Sequence, residues 1–442
     1  MYFSDYRFIS EPLFFSLMHS FKELPLIEPL HRAIAEEGYT VPTPIQAQSI
    51  VPLLEGRDII GCAQTGTGKT AAFVLPILQQ LAVQKKGRVQ NTPRALILAP
   101  TRELAAQIGK SIQVYGKYVP LTSTVIFGGV GHQSQIQAMN RGVDILVATP
   151  GRLLDLMNQG FVHLNQISIF VLDEADRMLD MGFIRDIHKI IAKLPSNKQS
   201  MFFSATLEPK VVELAKKLIR NPIHVTVNPE KPTVERIEQC VYFVDKEKKD
   251  GLLVQLLKGP TFLRVIVFTQ MKHVANRVAE VLFRAGIRAE VIHGNKSQNA
   301  RTASLEAFRH GRSKVLVATD IAARGIDIEG ITHVINYELP HEAETYVHRI
   351  GRTARAGAEG QAISFCSAFE RSYFEAIEDF IHKEVPVIQD KLYHSNAAMN
   401  ATGAAARPPP KGNQGGKYGK RSSSPRTFGR GRVDGRRGHN RR

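Results

Sequence analysis

Apolar residues in this chain gather into short unbroken runs, separated by stretches of helical period. In the first half the runs are 58–62 (DIIGC), 94–100 (RALILAP), 124–128 (TVIFG), 144–148 (DILVA), 167–173 (ISIFVLD) and 200–204 (SMFFS). A strand with one face in water alternates apolar and polar residues, so unbroken β-rich runs predict strands buried on both faces. The segment 103–115 between two of them has the amphipathic pattern of a surface helix. Strands separated by helices predict a parallel sheet. The pattern recurs at 265–268, 290–293, 314–319, 333–337 and 362–365. The expected fold class is α/β: two tandem units, each a parallel sheet with helices on both faces.

The expected boundaries follow from breaks in this pattern. Residues 18–227 form the first unit, 228–234 a linker rich in proline (NPEKPT), and 235–395 the second unit. From 396 to 442 Gly, Arg and Ser dominate and little could enter a core, so a disordered tail is expected. Residues 1–17 are apolar and aromatic, with one base (Arg7) and interruptions at Glu11 and Pro12, a poor match to a signal peptide. Met18, just ahead of Phe21, offers an alternative start of translation.

Charge adds a partner to this picture. The formal net charge is +17, and residues 407–442 hold twelve of the 58 Lys and Arg against one acid, Asp434. Such a tail points to an anionic polymer and says nothing about the fold. Tyr418 and Phe428 add stacking rings to it. No apolar run approaches the ~18 residues of a membrane span. Cys62, Cys240 and Cys366 are far apart and lack metal-ligand spacing, which suits a reducing compartment; a cytoplasmic location and no membrane partner are expected.

Candidate chemistry begins after the first run. Ala63, Gln64, Thr65, Gly66, Thr67, Gly68, Lys69 and Thr70 read AQTGTGKT. Glycines here let backbone amides turn around phosphate oxygens, and the helix that follows adds its positive end. Lys69 would reach the outer phosphates and Thr70 would ligate Mg2+. The second half of such a site is an acid at a strand end, which 169–173 (IFVLD) supplies. Asp173 would hold Mg2+, and Glu174 would orient or deprotonate the attacking water. Loop and acid together predict a nucleotide hydrolase with a Mg2+ site.

With Ala175 and Asp176 completing the tetrapeptide DEAD, the sequence resembles a DEAD-box RNA helicase over about residues 18–395. The resemblance implies RecA-like domains. Gly38 to Gln46 (GYTVPTPIQ) resembles the adenine-recognition motif, with Phe21 as its upstream aromatic; Tyr39 and Gln46 join the ATP set. A carboxamide can pair with the adenine edge and a phenyl ring can stack on it. Pro100, Thr101 and Arg102 (in PTRELA), Gly128, Gly129, and Thr149, Gly151 and Arg152 (in TPGR) match motifs that imply RNA contact. So do Thr269 and Gln270, His293 and Gly294, and Thr319 and Asp320 in the second unit. Ser204 and Thr206 (in SAT) imply coupling of hydrolysis to RNA, together with Asp176, His348 and Arg349, the last two expected to brace the DEAD residues. Gly325 and Asp327 (in DIAARGID) imply a nucleotide contact. Arg352 and Arg355 (in HRIGRTARAG) match the arginine fingers, catalytic alongside Lys69, Asp173 and Glu174; the family usually has Gly where Ala354 stands.

Within the family the chain looks most like the bacterial RhlE branch. The resemblance implies local separation of RNA strands, with RNA, single-stranded or in short duplexes and bound without sequence preference, as partner. Ribosome assembly or RNA decay machinery and a monomeric core are expected by analogy. A DNA helicase on the same fold, or an ATP-gated clamp or annealing chaperone with little unwinding, are the alternatives.

Overall fold

The computed structural model describes residues 19–64, 66–84, 86–227, 237–320, 328, 330–354 and 360–406. Its first sheet contains β1 (Ile59–Cys62), β2 (Ala95–Leu98), β3 (Ser123–Ile126), β4 (Ile145–Ala148), β5 (Ile169–Leu172), β6 (Gln199–Ser204) and β7 (Ile223–Thr226). All pairings are parallel, in the order β3-β4-β2-β5-β6-β1-β7. The second holds β8 (Ile237–Phe243), β9 (Val265–Thr269), β10 (Ala289–Ile292), β11 (Val315–Thr319), β12 (His333–Asn336) and β13 (Gly360–Cys366), also parallel, in the order β10-β11-β9-β12-β13-β8. Every predicted run is a strand within a few residues.

Helices cover both faces. Around the first sheet lie α1 (Glu28–Glu36), α2 (Pro44–Leu54), α3 (Lys69–Gln84), α4 (Arg102–Tyr115), α5 (Gln133–Asn140), α6 (Pro150–Asn158), α7 (Ala175–Asp180), α8 (Ile184–Ile191) and α9 (Pro209–Leu218). Around the second lie α10 (Lys249–Leu257), α11 (Lys272–Arg284), α12 (Gln298–Arg309), α13 (Ala343–Ile350), α14 (Arg371–Ile381) and α15 (Asn396–Met399). Alternate residues of β2, β4 and β5 enter two separate cores, one on each face: Ile97, Val147 and Val171 on one, Leu98, Leu146 and Leu172 on the other. That is why these strands read as continuous apolar runs.

Two expectations change at the second domain's ends. β8 had no unbroken run to announce it, because it lies at the sheet edge and alternates buried Ile237, Gln239, Val241 and Phe243 with a solvent-facing Glu238. Residues from 396 to 406, expected in the tail, are described and partly buried. Ser395 caps α15 by accepting from the Ala398 amide and donates to Asp245, and Ala398 and Ala406 are buried. Alanines are small enough to fill a shallow surface without a visible hydrophobic run. The expected linker, the segment 1–17 and the basic stretch 407–442 lie outside the described residues.

Candidate active site

Parallel strands bring their C-terminal ends to one edge, and ligands bind beyond that edge. Because β5, β6 and β1 are neighbours, the phosphate loop, the DEAD residues and the SAT residues emerge side by side. Gly66 and Gly68 take φ of +87° and +94°, a left-handed backbone in which glycine is the unstrained residue. Thr67 Oγ1 donates to the Gln64 carbonyl at 2.7 Å and ties the turn, while Ala63 is buried at its base. Lys69 opens α3, and its Nζ is buried with no hydrogen-bond partner. Asp173 is buried beside it. Loss of solvent pushes the Asp173 carboxyl well above the usual carboxylate range, against the pull of the Lys69 ammonium.

An orphaned ammonium and a dry carboxylate at the mouth of a glycine turn fit a phosphate chain with its cation. Among the described residues no cluster of three or more His, Cys, Asp or Glu side chains could hold a metal. A magnesium ion here would rest on Thr70, Asp173 and the nucleotide's own phosphates, the usual habit of this ion.

Asp176 joins the DEAD strand end to SAT. Its Oδ2 accepts from the Ala205 and Thr206 amides at 3.0 and 3.1 Å, and its own amide donates to Ser204 Oγ at 3.3 Å. Gln46 is the third residue of α2. Its Oε1 accepts from the Thr43 amide at 2.9 Å, and its Nε2 donates to the Gly68 carbonyl at 3.1 Å. The adenine motif is thus bonded directly to the phosphate loop. The expected upstream aromatic, Phe21, stands next to Tyr39. Phe21 is 3 % exposed and packed in the core, under Tyr39, which is 43 % exposed with ring centroids 6.2 Å apart. Both residues expected in the ATP set are therefore neighbours, Tyr39 the more exposed of the two.

The neighbouring strand ends β3, β4 and β2 carry the motifs expected to meet RNA. Pro100, Thr101 and Thr149 are buried there; Thr101 Oγ1 accepts from the Leu104 amide and caps α4. In the second domain Thr269, His293 and Thr319 are buried as well. Thr269 donates to the Met271 carbonyl, and His293 Nε2 donates to Asn276 Oδ1 at 3.0 Å. All six side chains are buried in this structure. Gly129, Gly151 and Gly294 are exposed, and Gly128, Arg102 and Arg152 are partly exposed. Arg102 lies so close to Gly129, at φ +76°, that any Cβ there would collide with its guanidinium. Arg152 donates to Gln135 Oε1 and to the Val130 carbonyl, and so holds the same glycine loop. Gln270 is engaged with Glu338 and the Leu339 carbonyl.

Arg349, expected to brace the DEAD residues, is bound inside the second domain. It is 1 % exposed and bonds Asp320 through two nitrogens at 2.6 and 2.8 Å, then Asn336 Oδ1 and the Glu338 carbonyl. In this structure Arg349 is engaged within its own domain, with Asp320 as its counter-charge. His348 is half-buried on the last turn of α13, and its carbonyl accepts from Arg352 Nε at 3.2 Å. Thr65, Gly325, Asp327 and Arg355 lie outside the described residues.

Four functional candidates were not singled out from sequence. Glu103 reaches across to the second domain, where Gln298 Nε2 donates to Oε1 at 3.0 Å and Arg301 Nη2 pairs with Oε2 at 3.0 Å. Arg102 adds a long contact to Gln298 Oε1 at 3.5 Å. The available signal was an acid inside PTRELA and two polar residues three apart on α12. Arg177, paired with Glu174, is the fourth.

Comparison with known proteins agrees with this geometry. The DEAD/DEAH box helicase family matches residues 43–214, and the helicase conserved C-terminal domain matches 248–357. The chain belongs to the DEAD-box helicases. It is 46 % identical to an ATP-dependent RNA helicase RhlB of Pseudomonas putida, over 83 % of this chain and 93 % of that protein. It is 43 % identical to the RhlB of Haemophilus influenzae, over 84 % and 90 %. The RhlE sub-assignment is therefore not supported: these relatives carry the name RhlB. The fold matches S. cerevisiae Dbp5 bound to RNA and ADP BeF3 with a TM-score of 0.72, at 34 % identity over 84 % of this helicase and 95 % of that chain. It matches Mss116p bound to ssRNA and AMP-PNP with a TM-score of 0.73, at 31 % identity over 83 % and 78 %.

Proposed function

We propose that this helicase hydrolyses ATP when RNA is bound and uses the cycle to separate short RNA duplexes, as the RhlB name of its relatives suggests. The observation that carries the reading is the buried, unpartnered Lys69 ammonium beside the buried Asp173 and Glu174. Lys69 and the loop amides would bind the β- and γ-phosphates. Magnesium, held by Thr70 and Asp173, would neutralise charge on the phosphoryl oxygens. Glu174 takes a proton from the attacking water as its oxygen bonds to the γ-phosphorus. The bridging P–O bond opens and its electron pair leaves with ADP. Arg352, from the second domain, stabilises the spread charge, an effect worth ~10³–10⁵ in rate for arginine fingers. Glycine-lined strand ends suit sugar-phosphate contacts, which carry little sequence information.

Steady-state ATPase assays with RNA and with DNA of the same sequence test this. RNA is expected to stimulate and DNA to stimulate weakly. Lys69→Ala should remove at least about 100-fold of the RNA-stimulated rate, on the scale of losing transition-state charge stabilisation. Equal stimulation by DNA would favour a DNA-directed helicase, and RNA-stimulated hydrolysis without strand separation would favour an annealing clamp.

A further inference from the structure

Just after the DEAD residues stands Arg177, which none of the motif roles above uses. Glu174 follows β5 with φ +53° and ψ 54°, a left-handed backbone that non-glycine residues seldom adopt. The turn throws its carboxylate into the site, where the residue is only 4 % exposed. A buried carboxylate requires a partner to hold its direction. Arg177, three residues on and therefore on the same face of the first turn of α7, donates from Nη1 to Glu174 Oε2. Arg177 is itself 8 % exposed, so water competes little for this pair.

We infer that Arg177 is a positioning residue for ATP hydrolysis, acting through Glu174. Pinning Oε2 fixes the plane of the carboxylate, and with it the direction of Oε1 toward the attacking water. The turn is anchored around it. Asp173 Oδ1 accepts from the Glu174 amide at 2.9 Å, Asp176 Oδ1 accepts from the Arg177 amide at 2.9 Å, and the Met178 amide donates to the Glu174 carbonyl. The backbone thus fixes where the side chain starts and Arg177 fixes where it ends. Misplacing a reacting group by about 1 Å can cost ~10²-fold in rate.

The inference rests on the proposed role of Glu174, and the test separates the two. Single-turnover hydrolysis with saturating RNA is measured for wild type, Arg177→Met, Glu174→Gln and the double variant, with KM for ATP and thermal melting alongside. Arg177→Met is expected to lower the hydrolysis rate by roughly 10- to 100-fold while KM for ATP changes less than about two-fold. On the Glu174→Gln background it should cost nothing further, since the carboxylate it aims is gone. Arg177→Lys, which keeps the charge but not the planar fork, should recover part of the loss. Equal losses on both backgrounds would make Arg177 a general structural residue, and an unchanged rate in Arg177→Met would remove the inference outright. A wild-type rate in Glu174→Gln would overturn the role of Glu174 and this inference with it. If Arg177→Met does not fold, Arg177→Lys carries the same cycle, with the same non-additivity required.

Discussion

Ala354 holds a φ of +54°, a backbone region that crowds any Cβ. It stands where the family usually has glycine, and the methyl matters more than its size suggests. Glycine would relieve roughly 1–2 kcal/mol of local strain and return part of that as unfolded-chain entropy. Ala354→Gly is therefore expected to stabilise the second domain by about 0.5–1 kcal/mol in urea unfolding, with ATPase activity retained; a loss of stability would show the strain is absent. The sequence displayed the exchange but not the torsion, because φ is set by how the Arg352 turn packs against β13, where Gly360 leaves no room for a Cβ beside Thr353. The same limit applies to Phe21 and Tyr39. Their residue types announced an aromatic site, but burial alone decided which ring faces outward.

Elements were legible where both faces of a strand are apolar, as in β2, β4 and β5. They were not where a strand lies at an edge, as in β8, or where a helix is built of alanine, as in α15. A further feature that periodicity could not reveal lies at the start of α10. Lys249, buried, donates from Nζ to the carbonyls of Tyr337 and Phe365 at 2.8 and 3.1 Å and to Glu370 at 2.6 Å. It joins the ends of β12 and β13 to the loop before α14. Burial alone would raise the Glu370 pKa, but Lys249 and the Ser367 hydrogen bonds more than offset it, so the pKa lies below its ordinary 4.5. A lowered carboxyl pKa contributes stability that is present above 4.5 and lost as the pH falls through the folded value. Lys249→Met leaves that carboxylate buried without its counter-charge, and is expected to cost about 3–5 kcal/mol at neutral pH. The loss should shrink as the pH falls toward and below 4.5, because without Lys249 burial lifts the Glu370 pKa and protonated Glu370 no longer needs the ammonium. Chemical unfolding of the second domain at several pH values measures both.

At the scale of the whole molecule, the two domains meet through Glu103, Gln298 and Arg301, all buried. Removing one partner of a buried, hydrogen-bonded charge pair costs about 2–5 kcal/mol. Arg301→Ala is thus expected to shift the protein toward separated domains, read as lower energy transfer between a dye on each domain, and to raise the RNA concentration needed for half-maximal ATPase. Unchanged transfer would mean the contact does not hold the domains. The sequence alone determined the two α/β units, the phosphate loop, the acidic strand end and the family, because these depend on local runs and short motifs read along the chain. Only the tertiary structure decided which motifs stand together. The order β3-β4-β2-β5-β6-β1 places the strand ends expected to meet RNA on one half of the edge and those expected to meet the nucleotide on the other, an arrangement set by crossovers that no local pattern records. It also decided which polar residues face outward and which, like Arg349 and Thr101, are engaged inside. A side chain's availability depends on what packs around it, and those neighbours come from distant parts of the chain.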